Sequence, residues 1–197
     1  RSVLDVTGDV DRVVVAVPAA AVPEIVARCA SRGVRGLVVL TGGFGERGTA
    51  EQRSEGYIAQ RALVAEARAN GMRVVGPNCL GIINTDPAVH LNASLAPLAP
   101  LAGRAGFFAQ SGALGVALLG EAARRGLGVS TFVSAGSRAD VSGNDLLQYW
   151  DTDECTGVVL MYLESFGNPR KFARLARRIG RTKPIVVVNS SAGTVVP

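Results

Sequence analysis

The residues from Gly106 to Gly115, GFFAQSGALG, contain the most informative junction of the chain. An apolar run ends in the small polar turn Gln110-Ser111-Gly112, and an apolar pattern with helical spacing follows directly. This order predicts a β-strand that leads into a helix through a turn with very little side-chain bulk. The first N–H groups of such a helix lack intrahelical partners and carry partial positive charge, so they can hold an anion. The turn is therefore a candidate phosphate site, although an ordinary junction in which Ser111 only caps the helix has the same pattern.

The composition of the 197-residue chain fits an α/β protein, because 48% of the residues are hydrophobic and 24 glycines provide tight turns. No run of about 18 apolar residues occurs, so we expect no membrane span. The first residues contain no secretory signal pattern. Cys29, Cys79 and Cys155 form no Cys-x-x-Cys pair, which favours a cytoplasmic protein over a disulfide scaffold or a metal site.

The net charge of +5 comes largely from one cationic segment near the carboxyl end. Its cationic residues are Arg170, Lys171, Arg174, Arg177, Arg178, Arg181 and Lys183. The spacing indicates a solvated helix face, and some of this charge can also attract an anionic ligand. No aromatic platform or nucleic-acid motif accompanies the charge, so we expect no nucleic-acid partner.

The first half of the chain alternates predicted strands with predicted helices. Strands are predicted at Asp11–Pro18, Gly36–Thr41 and Met72–Val75, with helices between them at Pro23–Arg32 and Glu51–Asn70. Continuous apolar strands separated by helices predict a parallel sheet.

The second half repeats this alternation after a Pro- and Ala-rich segment at 91–103. Its predicted strands are Arg104–Ala109, Ser130–Ser134, Gly157–Leu163 and Pro184–Val188, and its predicted helices are Gly112–Arg125, Asn144–Trp150 and Asn168–Gly180. The sequence therefore predicts an α/β fold of two small doubly wound parallel-sheet domains, residues 1–90 and 104–197, joined by a linker at 91–103.

Ligands of such sheets bind beyond the carboxyl ends of the strands, where the polar and Gly-rich turns of this chain occur. Glu164 ends an apolar strand at that edge and is either a site carboxylate or a solvated one. Cys79 with the single histidine, His90, is a weaker alternative that needs the two side chains to meet. No Gly-Lys-Ser/Thr motif and no Gly-x-Gly-x-x-Gly motif opens either half, so we expect no ATP site of those two types.

Six segments taken together resemble the ADP-forming acyl-CoA synthetases, which are related to the α subunit of succinyl-CoA synthetase. They are VVVAVPAAAVPEIV (13–26), LVVLTGGFGE (37–46), GMRVVGPNCLGIINT (71–85), GFFAQSGALGVALL (106–119), STFVSAGSRADVSGNDLLQYW (130–150) and VVLMYLESFGNPRKFARLARR (158–178). The resemblance implies a partial Rossmann-like CoA-binding domain followed by a flavodoxin-like ligase domain. It also implies a reaction in which an acid, CoA and ATP give acyl-CoA, ADP and phosphate through an acyl phosphate and a phosphohistidine.

The resemblance also implies roles for particular residues. The residues that match the CoA site are Val17, Pro18, Leu40, Thr41, Gly42, Pro77, Asn78 and Cys79. Gln110, Ser111, Gly112 and Ala113 match the helix start that holds the phosphate of phosphohistidine. Glu164 matches the carboxylate that orients this histidine. Both roles are physically reasonable, because N–H donors at a helix start stabilise a phosphoryl group and a carboxylate can fix the tautomer of an imidazole.

Further components are implied outside this chain. They are a small carboxylic acid, an ATP-grasp domain or subunit that binds ATP or ADP with Mg, and an oligomeric assembly. The Gly-rich turn that opens the family's CoA domain is absent here, and residues 189–197 carry no histidine where the family has its phosphorylated one. Ser137 stands where an asparagine is usual, and Asn189 stands where a lysine is common.

Two hypotheses follow from these departures. In the first, the chain is part of a longer acid–CoA ligase and is inactive alone. In the second, it is a non-catalytic module that senses CoA or acyl-CoA or docks a partner, for example within a protein that also carries a lysine acetyltransferase domain.

Overall fold

The computed structural model describes residues 2–190, which form two β-sheets with helices packed against them. The first sheet contains β1 (Arg12–Val15), β2 (Gly36–Val39) and β3 (Arg73–Val75), all parallel and in that order. Its connections carry α1 (Val22–Ser31) and α2 (Ala50–Ala69). Two short 3-10 helices, Val3–Asp5 and Ala19–Ala21, precede β1 and α1 respectively.

The ends of α2 follow from its sequence. Thr49 Oγ1 accepts a hydrogen bond from the backbone of Gln52 at 3.3 Å, and the Gln52 side chain accepts one from Thr49 N–H at 3.0 Å. This reciprocal capping box satisfies two otherwise unpaired donors and sets the first turn. Gly71 follows the helix with φ of +74°, a conformation that glycine adopts without steric cost and that reverses the chain towards β3.

The alternating side chains of β2 show what covers each face of the first sheet. Leu37 and Val39 point into the core formed with α1 and α2. Val38, between them, joins the core of the second half of the chain together with Val75 of β3. Because successive strand residues face opposite ways, the helices cover one face of this sheet and the second half covers the other.

The second sheet has the order β5-β4-β7-β6-β8-β9. Its strands are β4 (Gly81–Asn84), β5 (Leu91–Ser94), β6 (Ala102–Ala109), β7 (Val129–Ser134), β8 (Val158–Leu163) and β9 (Ile185–Asn189). The strands β7, β6, β8 and β9 are parallel, whereas β4 runs antiparallel to both of its neighbours. The helix α3 (Gly112–Arg124) packs on one face of the sheet, while α4 (Gly143–Thr152) and α5 (Pro169–Ile179) pack on the other.

The α/β prediction with parallel sheets is confirmed, but the segment around residue 90 differs from the predicted division. The strands β4 and β5 belong to the second sheet, so this sheet begins before residue 90. The segment 91–103, predicted as a linker, starts with β5 and ends within β6. Both added strands have only four residues, and they are stabilised by pairing such as Ile82 with Val133 rather than by a local pattern. None of the helices within residues 2–190 has the length and apolar character needed to cross a membrane.

Candidate functional site

The loops at the carboxyl ends of the strands surround an open cavity of about 540 Å³. Both halves of the chain contribute to its wall. The lining residues are Glu46, Arg47, Asn78, Cys79, Leu80, Gln110, Ser111, Gly112, Ala113, Gly136, Ser137 and Glu164. The structure therefore brings together the predicted phosphate turn, the predicted carboxylate and two of the residues predicted at the CoA site.

The helix α3 begins at the wall of this cavity. Ser111 is its N-cap, and Ser111 Oγ accepts a hydrogen bond from Leu114 N–H at 3.4 Å. Gly112 and Ala113 occupy the next two positions, where a backbone N–H has no carbonyl within its own helix to bond. The cap uses only one of the free donors of the first turn, so capping by Ser111 and anion binding are compatible.

Glu164 follows β8 and lies beside the phosphate turn. The side chain of Gln110 connects the two features, because its Oε1 accepts hydrogen bonds from the N–H groups of Glu164 and of Ser165, the latter at 3.0 Å. Its Nε2 donates to Ser165 O at 2.9 Å. Gln110 is 6% exposed, so the side-chain amide of the first residue of the phosphate turn is buried, and it is hydrogen-bonded to the backbone that carries Glu164.

The loop containing Asn78 joins the cavity to the first sheet. Asn78 N–H donates to Thr41 O at 2.8 Å, and Thr41 Oγ1 donates to Val17 O at 2.7 Å. Gly42 packs closely against the Asn78 side chain, since a Cβ atom at position 42 would be 3.1 Å from Asn78 Oδ1. Three segments predicted at the CoA site are thus fixed to one another by hydrogen bonds.

A second cavity of about 590 Å³ adjoins the first and shares Glu46, Arg47 and Asn78 with it. Its other lining residues are Gly42, Gly43, Gly45, Gly48 and Gln52. Among the residues predicted at the CoA site, Gly42, Asn78 and Cys79 therefore line one or both cavities. The remaining five, which lie outside the linings of these two cavities, are Val17, Pro18, Leu40, Thr41 and Pro77.

Glu46 is a cavity residue that the sequence analysis did not single out. Its Oε2 accepts hydrogen bonds from the N–H groups of Gly43 and Phe44, both at 2.8 Å. Its Oε1 accepts one from Ser137 Oγ, at 3.4 Å, in the second half of the chain. The position of its loop directly after β2 was the available sequence signal, but the contact with Ser137 depends on how the two halves pack.

The loop from 135 to 141 contributes Gly136 and Ser137 to the cavity wall. Ser137 N–H donates to Pro77 O and Ala139 N–H donates to Gly76 O, both at 3.0 Å. Gly136 has φ of +52°, and a Cβ atom there would be 2.1 Å from Asn78 O. The close approach of the two loops therefore requires glycine at this position.

The structure does not bring Cys79 and His90 together. Burial raises the pKa of the Cys79 thiol to about 12, and the thiol donates a hydrogen bond to Val39 O at 3.2 Å. His90 lines a separate cavity of about 230 Å³ near β4 and β5. A protonated, buried thiol without a nearby base is a poor nucleophile, so this arrangement gives no support to a Cys–His dyad. Within residues 2–190, no group of three or more His, Cys, Asp or Glu side chains is placed to hold a metal ion.

Comparison with known families divides the chain into two parts. Residues 1–85 match the family described as a CoA binding domain, and residues 102–195 match the family described as a succinyl-CoA ligase like flavodoxin domain.

The chain is also similar to particular ligases. It is 38% identical to the acetate–CoA ligase [ADP-forming] I subunit alpha of Pyrococcus furiosus, over 96% of this chain and 40% of that protein. It is 41% identical to the acetate–CoA ligase [ADP-forming] I of Archaeoglobus fulgidus, over 96% of this chain and 27% of that protein.

A solved structure shares the fold. The dinucleotide forming acetyl-coenzyme A synthetase 1 of Ca. Korarchaeum cryptofilum, in complex with phosphate and ADP, superimposes with a TM-score of 0.86 and 39% identity. The match covers 96% of this chain and 39% of that one. The chain thus spans less than half the length of each of these three proteins.

Proposed function

The chain belongs to the ADP-forming acyl-CoA synthetase family, and from this premise we propose that it provides the CoA-binding and ligase domains of an acid–CoA ligase. The proposed enzyme converts a small carboxylic acid, CoA and ATP into acyl-CoA, ADP and phosphate through an acyl phosphate and a phosphohistidine. One observation carries the proposal: the start of α3, Glu164 and the Asn78-Cys79 loop all line a single cavity.

The proposed task of the α3 start is to bind a phosphoryl group. The N–H groups of Gly112 and Ala113 donate hydrogen bonds to its oxygens, and the partial positive charge of the helix end stabilises its negative charge. These donors are fixed before the phosphoryl group arrives, because Ser111 already sets the first turn. The phosphate in the similar Korarchaeum structure agrees with an anion-binding function in this family.

The proposed task of Glu164 is to orient the histidine that carries the phosphoryl group. A carboxylate that accepts a hydrogen bond from one imidazole nitrogen fixes the tautomer in which the other nitrogen can be phosphorylated. The chain has one histidine, His90, and it lines a different cavity. We therefore propose that the phosphorylated histidine comes from sequence outside the described residues.

The proposed CoA site uses the second cavity and the boundary that it shares with the first. The Gly42–Gly48 loop leaves room there for a flexible chain, and Asn78 lies between that space and the phosphate site. ATP or ADP with Mg is assigned to an ATP-grasp domain or subunit outside this chain. A cytoplasmic, oligomeric enzyme is the assembly that this proposal implies.

A matched pair of substitutions at Gly112 tests the phosphate site in the protein that carries this chain, assayed with its ATP-grasp domain and radiolabelled ATP. Gly112→Pro removes one N–H donor but suits the first helical position, since Ser111 has the extended backbone that precedes proline. Gly112→Ala keeps the donor, and its Cβ would lie 3.7 Å from Leu80 Cβ, an ordinary contact. We expect acid-labile, base-stable phosphate on the parent and alanine proteins, and about 100-fold slower turnover for the proline variant.

Equal turnover of the proline and alanine variants would contradict the assigned role of the α3 N–H groups. No acid-labile label on the parent protein would contradict the proposed reaction itself.

A CoA-sensing or docking module is the second candidate, and the observation in its favour is that His90 does not line the cavity of the phosphate turn. Calorimetric titration of the chain with CoA and radiolabelling of the whole protein separate the two functions. The ligase requires both CoA binding and ATP-dependent phosphorylation, whereas the sensor shows CoA or acyl-CoA binding without phosphorylation. We expect weak CoA binding by this chain alone, because the family's Gly-rich turn is absent from its sequence.

A further inference from the structure

The backbone that carries Glu164 is held by a second residue besides Gln110. Arg138 Nη1 donates a hydrogen bond to Ser165 O at 2.6 Å, the same carbonyl that accepts from Gln110 Nε2 at 2.9 Å. Gln110 belongs to the phosphate turn, while Arg138 directly follows Gly136 and Ser137, which line the same cavity. The segment after β8 is therefore fixed from two sides.

The backbone of Arg138 is itself in an uncommon conformation. Its φ is +42°, in the left-handed region that non-glycine residues adopt only at an energetic cost. The neighbouring residues Ser137 and Ala139 donate hydrogen bonds to the backbone of Pro77 and Gly76, which fixes the loop on both sides of Arg138. The loop thus holds this arginine in place despite the backbone strain.

Arg138 also provides a positive charge near Glu164. Burial lowers the pKa of its guanidinium, and the negative charge of Glu164 partly opposes that change. Besides Glu164, the charged residues that line the cavity are Glu46 and Arg47, and Glu46 is already bonded to the N–H groups of Gly43 and Phe44. Arg138 is thus placed to act both as a hydrogen-bond donor to the 164–165 backbone and as a counter-charge for Glu164.

We propose that Arg138 is a positioning residue that, together with Gln110, fixes the direction in which Glu164 enters the phosphate cavity. This inference rests on the proposed function, since it assigns Arg138 a part in orienting the carboxylate that orients the histidine. Gln110 ties Glu164 to the phosphate turn, and Arg138 ties the same segment to the loop that packs on the Asn78 region. A displacement of either anchor moves Glu164 relative to the α3 start.

Three substitutions separate the charge of Arg138 from its hydrogen bond. Arg138→Lys keeps a charge and a donor, Arg138→Gln keeps a donor, and Arg138→Met keeps neither. In the assembled ligase we expect the methionine variant to lose about 10- to 100-fold in kcat, with KM for CoA within about twofold of the parent. The lysine variant should recover most of this loss, and the glutamine variant should lie between them.

An unchanged kcat in the methionine variant would overturn the proposal, as would a lysine variant no better than methionine. A rise in KM for CoA that matches the fall in kcat/KM, with kcat unchanged, would also overturn it, because that pattern indicates lost CoA binding.

Hydrogen exchange of the chain itself gives a second readout that needs no activity. The N–H groups of Glu164, Ser165 and Gly167 are bonded to Gln110 Oε1 and Ser165 Oγ, so their exchange rates report the order of this segment. We expect faster exchange at these three positions in Arg138→Met and parent-like rates in α3. Parent-like exchange rates at 164–167 in Arg138→Met would contradict the proposal that Arg138 fixes this segment. If the parent protein acquires no phosphate from ATP, the proposed function is wrong, but the exchange measurement still tests whether Arg138 fixes the segment that carries Glu164.

Discussion

Asp140, in the second half of the chain, accepts a hydrogen bond from Arg73 Nε, on β3 of the first half, at 2.9 Å. The same carboxylate accepts hydrogen bonds from Arg68 Nε at 2.9 Å and from Val74 N–H at 2.8 Å. Its side chain is fully buried, whereas the two arginine side chains are 58% and 51% exposed. A single carboxylate therefore connects α2, β3 and the loop that forms one wall of the candidate site.

Substitution of Asp140 should destabilise the chain strongly. Asp140→Asn removes the buried negative charge and turns an amide group towards two arginines, so we expect a loss of about 3 kcal/mol in the free energy of unfolding. Urea denaturation at pH 7 measures this loss. Asp151→Asn is the matched control, because it removes a surface pair with Arg178 and should cost less than about 1 kcal/mol. Equal effects of the two variants would contradict the structural role of Asp140.

The same carboxylate should give the chain a specific dependence on acid. Burial alone would raise the pKa of Asp140, but the hydrogen bonds from Arg73, Val74 N–H and Arg68 outweigh it and hold this pKa below its usual value. The folded state therefore binds this proton less readily than the unfolded state, whose Asp pKa is about 3.9. The resulting stability is fully present above that pH and is lost as the pH falls through the lower folded pKa.

Unfolding experiments from pH 6 to pH 2.5 test this expectation. The difference in stability between the parent chain and Asp140→Asn should be constant above about pH 5 and should shrink below about pH 4. A stability difference that instead grows as the pH falls would mean that folding raises the pKa of Asp140, and it would rule out this explanation.

Two glycines provide a test of the contact between the cavity loops. Gly136→Ala places a Cβ atom 2.1 Å from Asn78 O and 2.4 Å from Pro77 O, at a positive φ, so we expect a loss of about 3 kcal/mol or more. Gly120→Ala, within α3, meets nothing within 4 Å and should stabilise the chain by about 0.5–1 kcal/mol. Thermal unfolding of both variants measures the contrast, and a harmless Gly136→Ala would show that the loops do not approach as described.

The three cysteines should differ in their reactivity towards a thiol reagent. Cys155 is exposed, whereas Cys29 and Cys79 are buried and burial raises the pKa of both thiols. We expect one equivalent of Ellman's reagent to react with the native chain at pH 8 and three equivalents to react after denaturation. Peptide mapping should place the native label on Cys155. Rapid labelling of Cys79 would contradict its burial and reopen a nucleophilic role for it.

Much of the candidate site follows from local sequence. The GFFAQSGALG segment predicts a strand, a cap and a helix start, and the structure has β6, Ser111 as N-cap and α3 in that order. Glu164 ends an apolar strand, and parallel strands bring their carboxyl ends to one edge, so its meeting with the phosphate turn could be predicted. These features depend on periodicity and capping within about ten residues.

Other features depend on pairs of residues far apart in the chain. The short strands β4 and β5 carry too little pattern to be recognised. The place of β4 in the second sheet comes from pairing with β7, about 50 residues later, and β5 joins the sheet by pairing with β4. The hydrogen bonds that Asp140 accepts from Arg73 and that Glu46 accepts from Ser137 span 67 and 91 residues. No local pattern marks such contacts.

The sequence by itself therefore determined the order of the strands and helices other than β4 and β5, the helix start at 111–112 and the family to which the chain belongs, and it predicted anion binding at 110–113. Only the tertiary structure decided that β4 and β5 extend the second sheet, that Asp140 joins the two halves, and that Gln110 and Arg138 meet at the Ser165 carbonyl. The physical reason is that helix starts and apolar runs are set by neighbouring residues. Buried charges and shared hydrogen-bond acceptors are satisfied only when distant segments pack together.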